Sequence, residues 1–227
     1  MRTFALGLLF IVVLAGAHAA DLSGRVSALR QFAWSPDADL HQIRHYEPRG
    51  AETCSARTTG DRDALVRALI TVESLATPSI ETWGKAMAVR AAGAVGLSPP
   101  DFTYGPGRVR LSKAGSALSN DGGDSKALPS GELAKQLLDY CKTKQIVSAL
   151  VSDILRSEGN TQQSHLDLAT VRRVAGLYNG QSTPRDVEAA VAHETYSALV
   201  YALFQQYRFD GLRNAGRRSG ERGAAHN

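Results

Sequence analysis

Sulfur and tryptophan are scarce in this 227-residue chain, which carries 2 Cys, 2 Met and 2 Trp. Neither cysteine lies near a histidine in the sequence or inside a recognisable protease signature, which argues against a cysteine nucleophile. Past residue 20 no apolar run approaches the roughly 20 residues that a helix needs to cross a bilayer, so a polytopic membrane protein is excluded. The 21 Gly and 8 Pro are too few for collagen, and neither sustained strand alternation nor an internal repeat is visible. What is present, 43% hydrophobic and 21% charged residues, suffices for one buried core and excludes wholesale disorder.

The 26 Lys and Arg exceed the 22 Asp and Glu for a formal net charge of +4. That mild excess suits acidic partners such as peptidoglycan, anionic lipid or nucleic acid without choosing among them. Arg2, an apolar run over residues 4–15 and the small-x-small site Ala17-His18-Ala19 have the layout of a secretory signal peptide cut before Ala20. A periplasmic or secreted protein is therefore expected. The run is only about a dozen residues long, so stable membrane insertion is not expected. An exported destination permits Cys54 and Cys141 to pair, and the even cysteine count favours a bond over two buried free thiols. Closing so long a loop would be worth about 4 to 5 kcal/mol in the chain-entropy model.

Helical patterns dominate after residue 60. Asp61 and Asp63 can cap a helix whose Ala64, Leu65, Ala68, Leu69 and Val72 recur at helical spacing, with Glu73 in its last turn and Pro78 beyond its end. Residues 79–95 form a second helix, closed by Gly93, Gly96 and Pro99-Pro100. Residues 99–129, rich in Gly, Pro, Ser and Asn, read as a long surface excursion with room for a short hairpin. Ser130 can cap a third helix whose pattern continues to Gly159, and Asp167 opens a short one that stops at Gly180. Thr183-Pro184-Arg185-Asp186 is a helix start, and the helix that follows runs toward Tyr207. Residues 20–60 are less legible, with one helix placed over 22–32.

Three motifs stand out in order. They are Ile70-Thr71-Val72-Glu73-Ser74, Tyr104-Gly105-Pro106-Gly107-Arg108 and Ala175-Gly176-Leu177-Tyr178-Asn179-Gly180. In this order they resemble the lysozyme-like lytic transglycosylases, the soluble enzymes and the related goose-type lysozymes, over roughly residues 60–210. That family has a catalytic Glu-Ser at a helix end, a Gly-x-x-Gln loop and an Ala-x-Tyr-Asn-Gly type segment. Here Arg108 stands where the loop would end in Gln, and the spacing from Glu73 to the loop is longer than the family's. The resemblance implies a mostly α, lysozyme-like helical domain with a long Gly/Pro-rich loop or short hairpin. The chain is thus expected to divide into a signal peptide (1–19), an N-terminal extension packed on the domain (20–60), the lysozyme-like catalytic domain that the resemblance implies (61–210) and a disordered basic tail (211–227).

The chemistry explains the residue types. Cleaving a glycosidic bond needs an acid at the leaving oxygen while an oxocarbenium-like sugar develops. A free Glu titrates near about 4.3, and an apolar pocket lifts such a group to about 6. Val72, Leu75 and a lid of Tyr104 and Tyr178 are expected to surround Glu73 in this way. The resemblance implies that one Glu suffices, because the muramoyl acetamido group assists and the sugar's own 6-hydroxyl attacks, leaving a 1,6-anhydro end. It also implies that Ser74, Tyr104, Gly105, Arg108, Tyr178 and Asn179 bind the glycan. Arg108 can donate to an acetamido carbonyl or a stem carboxylate but cannot accept, as Gln could.

Other candidates are weaker. His41-Gln42-Ile43-Arg44-His45 has histidines at i and i+4, but Gln42 stands where a zinc protease needs Glu and no third ligand announces itself. No metal or cofactor is expected. His193-Glu194 reads as structural. Trp34, Trp83 and Tyr104 can stack on sugars or fill a core. A basic tail without interleaved aromatics reads as solvated, not as a nucleic-acid site. The leading expectation is a peptidoglycan lytic transglycosylase acting on glycan strands, with service to an envelope-spanning apparatus as one setting. The alternatives are an inactive lysozyme-like peptidoglycan-binding or envelope-assembly protein, and an exported helical adaptor.

Overall fold

The computed structural model describes residues 54, 60–75, 79–94, 96–120, 128–160, 165–180 and 187–224, with 79–83, 119–120, 187–192 and 212–224 described by backbone alone. The signal peptide, most of the 20–60 extension, Trp34, the side chain of Trp83, His41, His45 and the Thr183-Pro184 start lie outside the described residues. Within them the chain is mostly α, with seven helices and one two-stranded antiparallel hairpin.

Helix α1 (Asp61–Leu75) starts at the two acids, as expected. It is buried along most of its length: Leu65, Val66, Ala68, Leu69 and Ile70 are each at most 1% exposed. The helix lies in the core, held there by α5 (Tyr140–Ser157) and α7 (Val187–Ala224), with Arg62 left exposed. Its N-terminus is pinned by charge. Asp61 accepts the Leu166 backbone N–H at 2.8 Å and faces Arg208 at 3.0 Å, while Asp63 pairs with Lys144 of α5 at 2.6 Å. Helix α2 (Ser79–Ala94) agrees with the second helix read from sequence.

The stretch read as a surface excursion sends Tyr104, Val109, Leu111, Ala114 and Ala117 into the core, which corrects that expectation in part, and the short hairpin it left room for is present. It contains the hairpin β1 (Thr103–Tyr104) and β2 (Val109–Arg110), with Tyr104 opposite Val109. A further helix, α3 (Leu111–Asn120), follows at once. Leu111, Ala114 and Ala117 form its buried stripe. Three serines and a glycine mask that stripe in the sequence, and the cap is not local. Asp101, across the hairpin, accepts the Ser112 N–H at 2.8 Å and its hydroxyl at 2.9 Å. Those bonds hold the Asp101 carboxyl below the usual range.

The single helix expected from Ser130 to Gly159 is two, α4 (Ser130–Leu138) and α5. Asp139 adopts an extended conformation between them and caps α5 by accepting the Lys142 N–H at 2.9 Å. Helix α6 (Leu168–Tyr178) is capped by Asp167, which accepts from Thr170 at 2.8 Å, and stops at Asn179-Gly180 as expected. The α7 backbone is helical to Ala224, which takes in most of the 211–227 stretch expected to be a disordered basic tail.

Cys54 and Cys141 form a disulfide that ties residue 54 to the first turn of α5, beside the core. Among the described residues no helix is long and apolar enough to cross a membrane.

Candidate active site

Glu73 lies in the last turn of α1, one position before Ser74, and only 9% of its side chain is exposed. A buried carboxyl must find partners, because desolvating it unpaired is costly. One partner is Tyr196 of α7, whose hydroxyl donates to Oε1 at 2.8 Å. Another is Arg108, whose Nε stands 3.7 Å from Oε2. Both contacts favour the carboxylate. The expected surroundings, apolar and lidded by Tyr104 and Tyr178, are corrected in part: a cation and a phenol donor face the carboxyl and Tyr104 is committed to the hairpin, whereas Tyr178 is near enough for the Glu73 charge to act on its phenol.

Arg108 reaches Glu73 because of the hairpin loop. Residues 105–108 close a turn in which the Arg108 N–H donates to the Gly105 carbonyl at 3.1 Å. Pro106 supplies the fixed φ that the second turn position favours. Gly105 has φ +68°, and a Cβ there would collide with the Leu137 carbonyl oxygen at the end of α4. The backbone thus packs against α4 more closely than any other residue would allow. At Gly107 a Cβ would meet the Thr143 and Val147 methyls of α5 at 2.9 and 3.0 Å. Arg108 itself is left-handed, with φ +48°, a conformation that costs a residue with a Cβ about 1 to 2 kcal/mol. Among the described residues it is the only non-glycine with positive φ.

Two side chains from the other motifs clamp this loop. Ser74 donates to the Pro106 carbonyl at 3.0 Å as well as to its own helix at Ile70. Tyr178, at the end of α6, donates to the Gly107 carbonyl at 2.6 Å. The Tyr178 phenol is held well above its usual range, chiefly by desolvation and secondarily by the charge of Glu73. It stays a donor at any physiological pH.

The three motifs recognised in the sequence therefore meet through direct contacts. Glu73 and Arg108 face each other, with Ser74 and Tyr178 anchoring the loop that carries Arg108. Not every expected glycan contact is available. Tyr104 is fully buried and donates to the Pro100 carbonyl at 2.8 Å, so it is a core residue of the hairpin and not a sugar platform. Gly105 is a packing requirement. Asn179 is exposed at the C-terminus of α6, where its backbone N–H closes the helix. Glu194 pairs with Arg172 at 3.6 Å, linking α7 to α6, in keeping with a structural role.

Tyr196 escaped the sequence reading. On α7 it is spaced with Val200, Leu203 and Tyr207 as one more member of a buried stripe, and only the approach of α7 to the end of α1 makes its hydroxyl chemical. Deeper on the same interface, Thr71 and the Tyr207 hydroxyl are bonded at 3.0 Å, and the Arg67 guanidinium lies 4.2 Å from the Tyr207 ring centre. No group of three or more potential metal ligands occurs among the described residues. No protein-family profile, curated protein or solved structure matches the chain.

Proposed function

We propose that this protein is an exported, lysozyme-like lytic transglycosylase that cleaves the β-1,4 bond between N-acetylmuramic acid and N-acetylglucosamine in peptidoglycan. One observation carries the reading. Glu73-Ser74, the 105–108 loop and Tyr178 resemble, in order and type, the family's three site motifs, and they are joined here by side-chain contacts.

In this mechanism Glu73, protonated, gives its proton to the leaving glycosidic oxygen as the bond from the muramoyl anomeric carbon breaks. The acetamido carbonyl of the same sugar closes on that carbon. The Glu73 carboxylate then takes the proton of the 6-hydroxyl, whose oxygen displaces the acetamido oxygen and forms the 1,6-anhydro ring. No water is consumed, and Glu73 ends protonated. Tyr196 keeps the carboxyl group aimed through both steps. Ser74 and Tyr178 hold the loop that forms one wall of the site. The cationic surplus of the chain favours the anionic polymer.

A second reading, a lysozyme-like protein that binds peptidoglycan without cutting it, is favoured by the Glu73–Arg108 pair, which stabilises the form that cannot donate a proton. Incubation with purified wall sacculi separates the two. Release of anhydro-ended muropeptides, lost in Glu73→Gln, is the result expected of the enzyme. Sedimentation with sacculi and no release would overturn the enzymatic reading, and neither would remove both.

A further inference from the structure

We propose that Arg108 is the residue by which the site recognises a carboxylate on the glycan, exchanging Glu73 for that carboxylate when substrate binds. The inference rests on the glycan-cleaving reading above and names the anionic feature that the site selects.

Four observations meet at this side chain. First, the 3.7 Å from Nε to Glu73 Oε2 is ion-pair range, yet longer than the roughly 2.7 to 2.9 Å of a charge-assisted hydrogen bond, so the guanidinium is attracted to Glu73 and not locked by this contact. Second, the Arg108 side chain is 16% exposed against 9% for Glu73, so more of the cation than of the carboxyl is open to an arriving anion. Third, the strained backbone at φ +48° persists because Ser74 and Tyr178 fix the two preceding carbonyls, and strain held in place this way gathers at functional positions. Fourth, Glu73 keeps the Tyr196 hydroxyl on Oε1, so its carboxyl stays aimed when Arg108 turns away.

The guanidinium is a planar fork that binds a carboxylate in two-pronged fashion. Peptidoglycan carries carboxylates on its stem peptides and, once these are removed, on the muramoyl lactyl group. Chitin oligosaccharides carry none. Transfer of Arg108 to the substrate withdraws the positive charge that stabilises ionised Glu73, which then takes a proton from hydronium or a buffer acid and becomes competent as an acid. A neutral glycan leaves the pair closed.

The test measures binding and muropeptide release by the full chain on three glycans: peptide-bearing strands, strands stripped of peptides, and neutral chitin oligosaccharides. Arg108→Gln is expected to weaken binding to the anionic strands about tenfold, the usual worth of a charged hydrogen bond, with chitin unaffected. Arg108→Gly, which relieves the backbone strain and so separates loss of the side chain from loss of folding, behaves the same way. Glu73→Gln, which removes the competitor for the guanidinium, binds anionic strands several-fold more tightly than the unmodified protein and releases nothing. Tightening on peptide-bearing strands alone assigns the stem carboxylate; tightening on stripped strands alone assigns the lactyl carboxylate, and tightening on both means that the fork accepts either. Equal effects of the Arg108 variants on chitin and anionic strands overturn the inference while release from sacculi leaves the transglycosylase reading standing. Absence of both binding and release overturns the two together.

Discussion

Replacing Gly105 by Ala tests the hairpin seat that delivers Arg108 to Glu73. Two penalties apply at that position. With φ +68°, an added Cβ costs about 1 to 2 kcal/mol from local sterics alone. The same Cβ would also run into the Leu137 carbonyl oxygen, a backbone atom already accepting the Thr143 hydroxyl at 2.7 Å, and no side-chain rotation can relieve that. Forcing α4 and the hairpin apart adds about 1 to 3 kcal/mol in the manner of an overpacked core. The expected loss is about 2 to 5 kcal/mol. Gly159 supplies the control, since its φ is +75° but nothing lies within 4 Å of its would-be Cβ. Gly159→Ala therefore carries the local penalty only, about 1 to 2 kcal/mol. Urea unfolding of the two oxidised variants gives the difference directly, through midpoints compared at a common slope. If Gly105→Ala proves no more destabilising than Gly159→Ala, the close approach of the hairpin to α4 is wrong, and the placement of Arg108 falls with it.

Three further outcomes are expected. Tyr196→Phe, which leaves Oε1 of Glu73 without its hydroxyl donor, lowers stability by about 1 to 3 kcal/mol in the same unfolding assay; no loss would mean that the bond at 2.8 Å does not form. Tyr178 favours its protonated phenol in the native state, so the stability it adds is complete below the unfolded value of about 10 and declines as pH rises from there toward the higher native value. An alkaline series of melting temperatures should fall over that window and fall less in Tyr178→Phe. Replacing Cys54 and Cys141 together by Ala opens a loop with a sequence separation of 87 and should cost on the order of 4 kcal/mol, read by denaturant unfolding; an unchanged midpoint would refute the entropic account.

Elements that cap themselves were legible. Asp167 binds the third residue beyond it, and the buried Leu and Ala of α1 repeat within a single helix, so both could be read from neighbours in the chain. Helix α3 was not, because its cap is Asp101 across a hairpin and its stripe is made of small residues. The division of residues 130–157 at Asp139 was hidden for a different reason. The apolar period continues across the break, and only the extended backbone of one residue interrupts it.

The amino-acid order alone decided the helical class, the ends of α1, α2 and α6, and the three motifs worth bringing together, since each depends on contacts within a few residues. Tertiary structure decided which of their side chains face one another. It buried Tyr104, turned Ser74 and Tyr178 into clamps on a loop, set Arg108 against Glu73, and recruited Tyr196 from α7. Those outcomes hinge on how a hairpin seats against α4 and α5 and on how α7 crosses the end of α1. Such distances arise between segments far apart along the chain, where local periodicity carries no information.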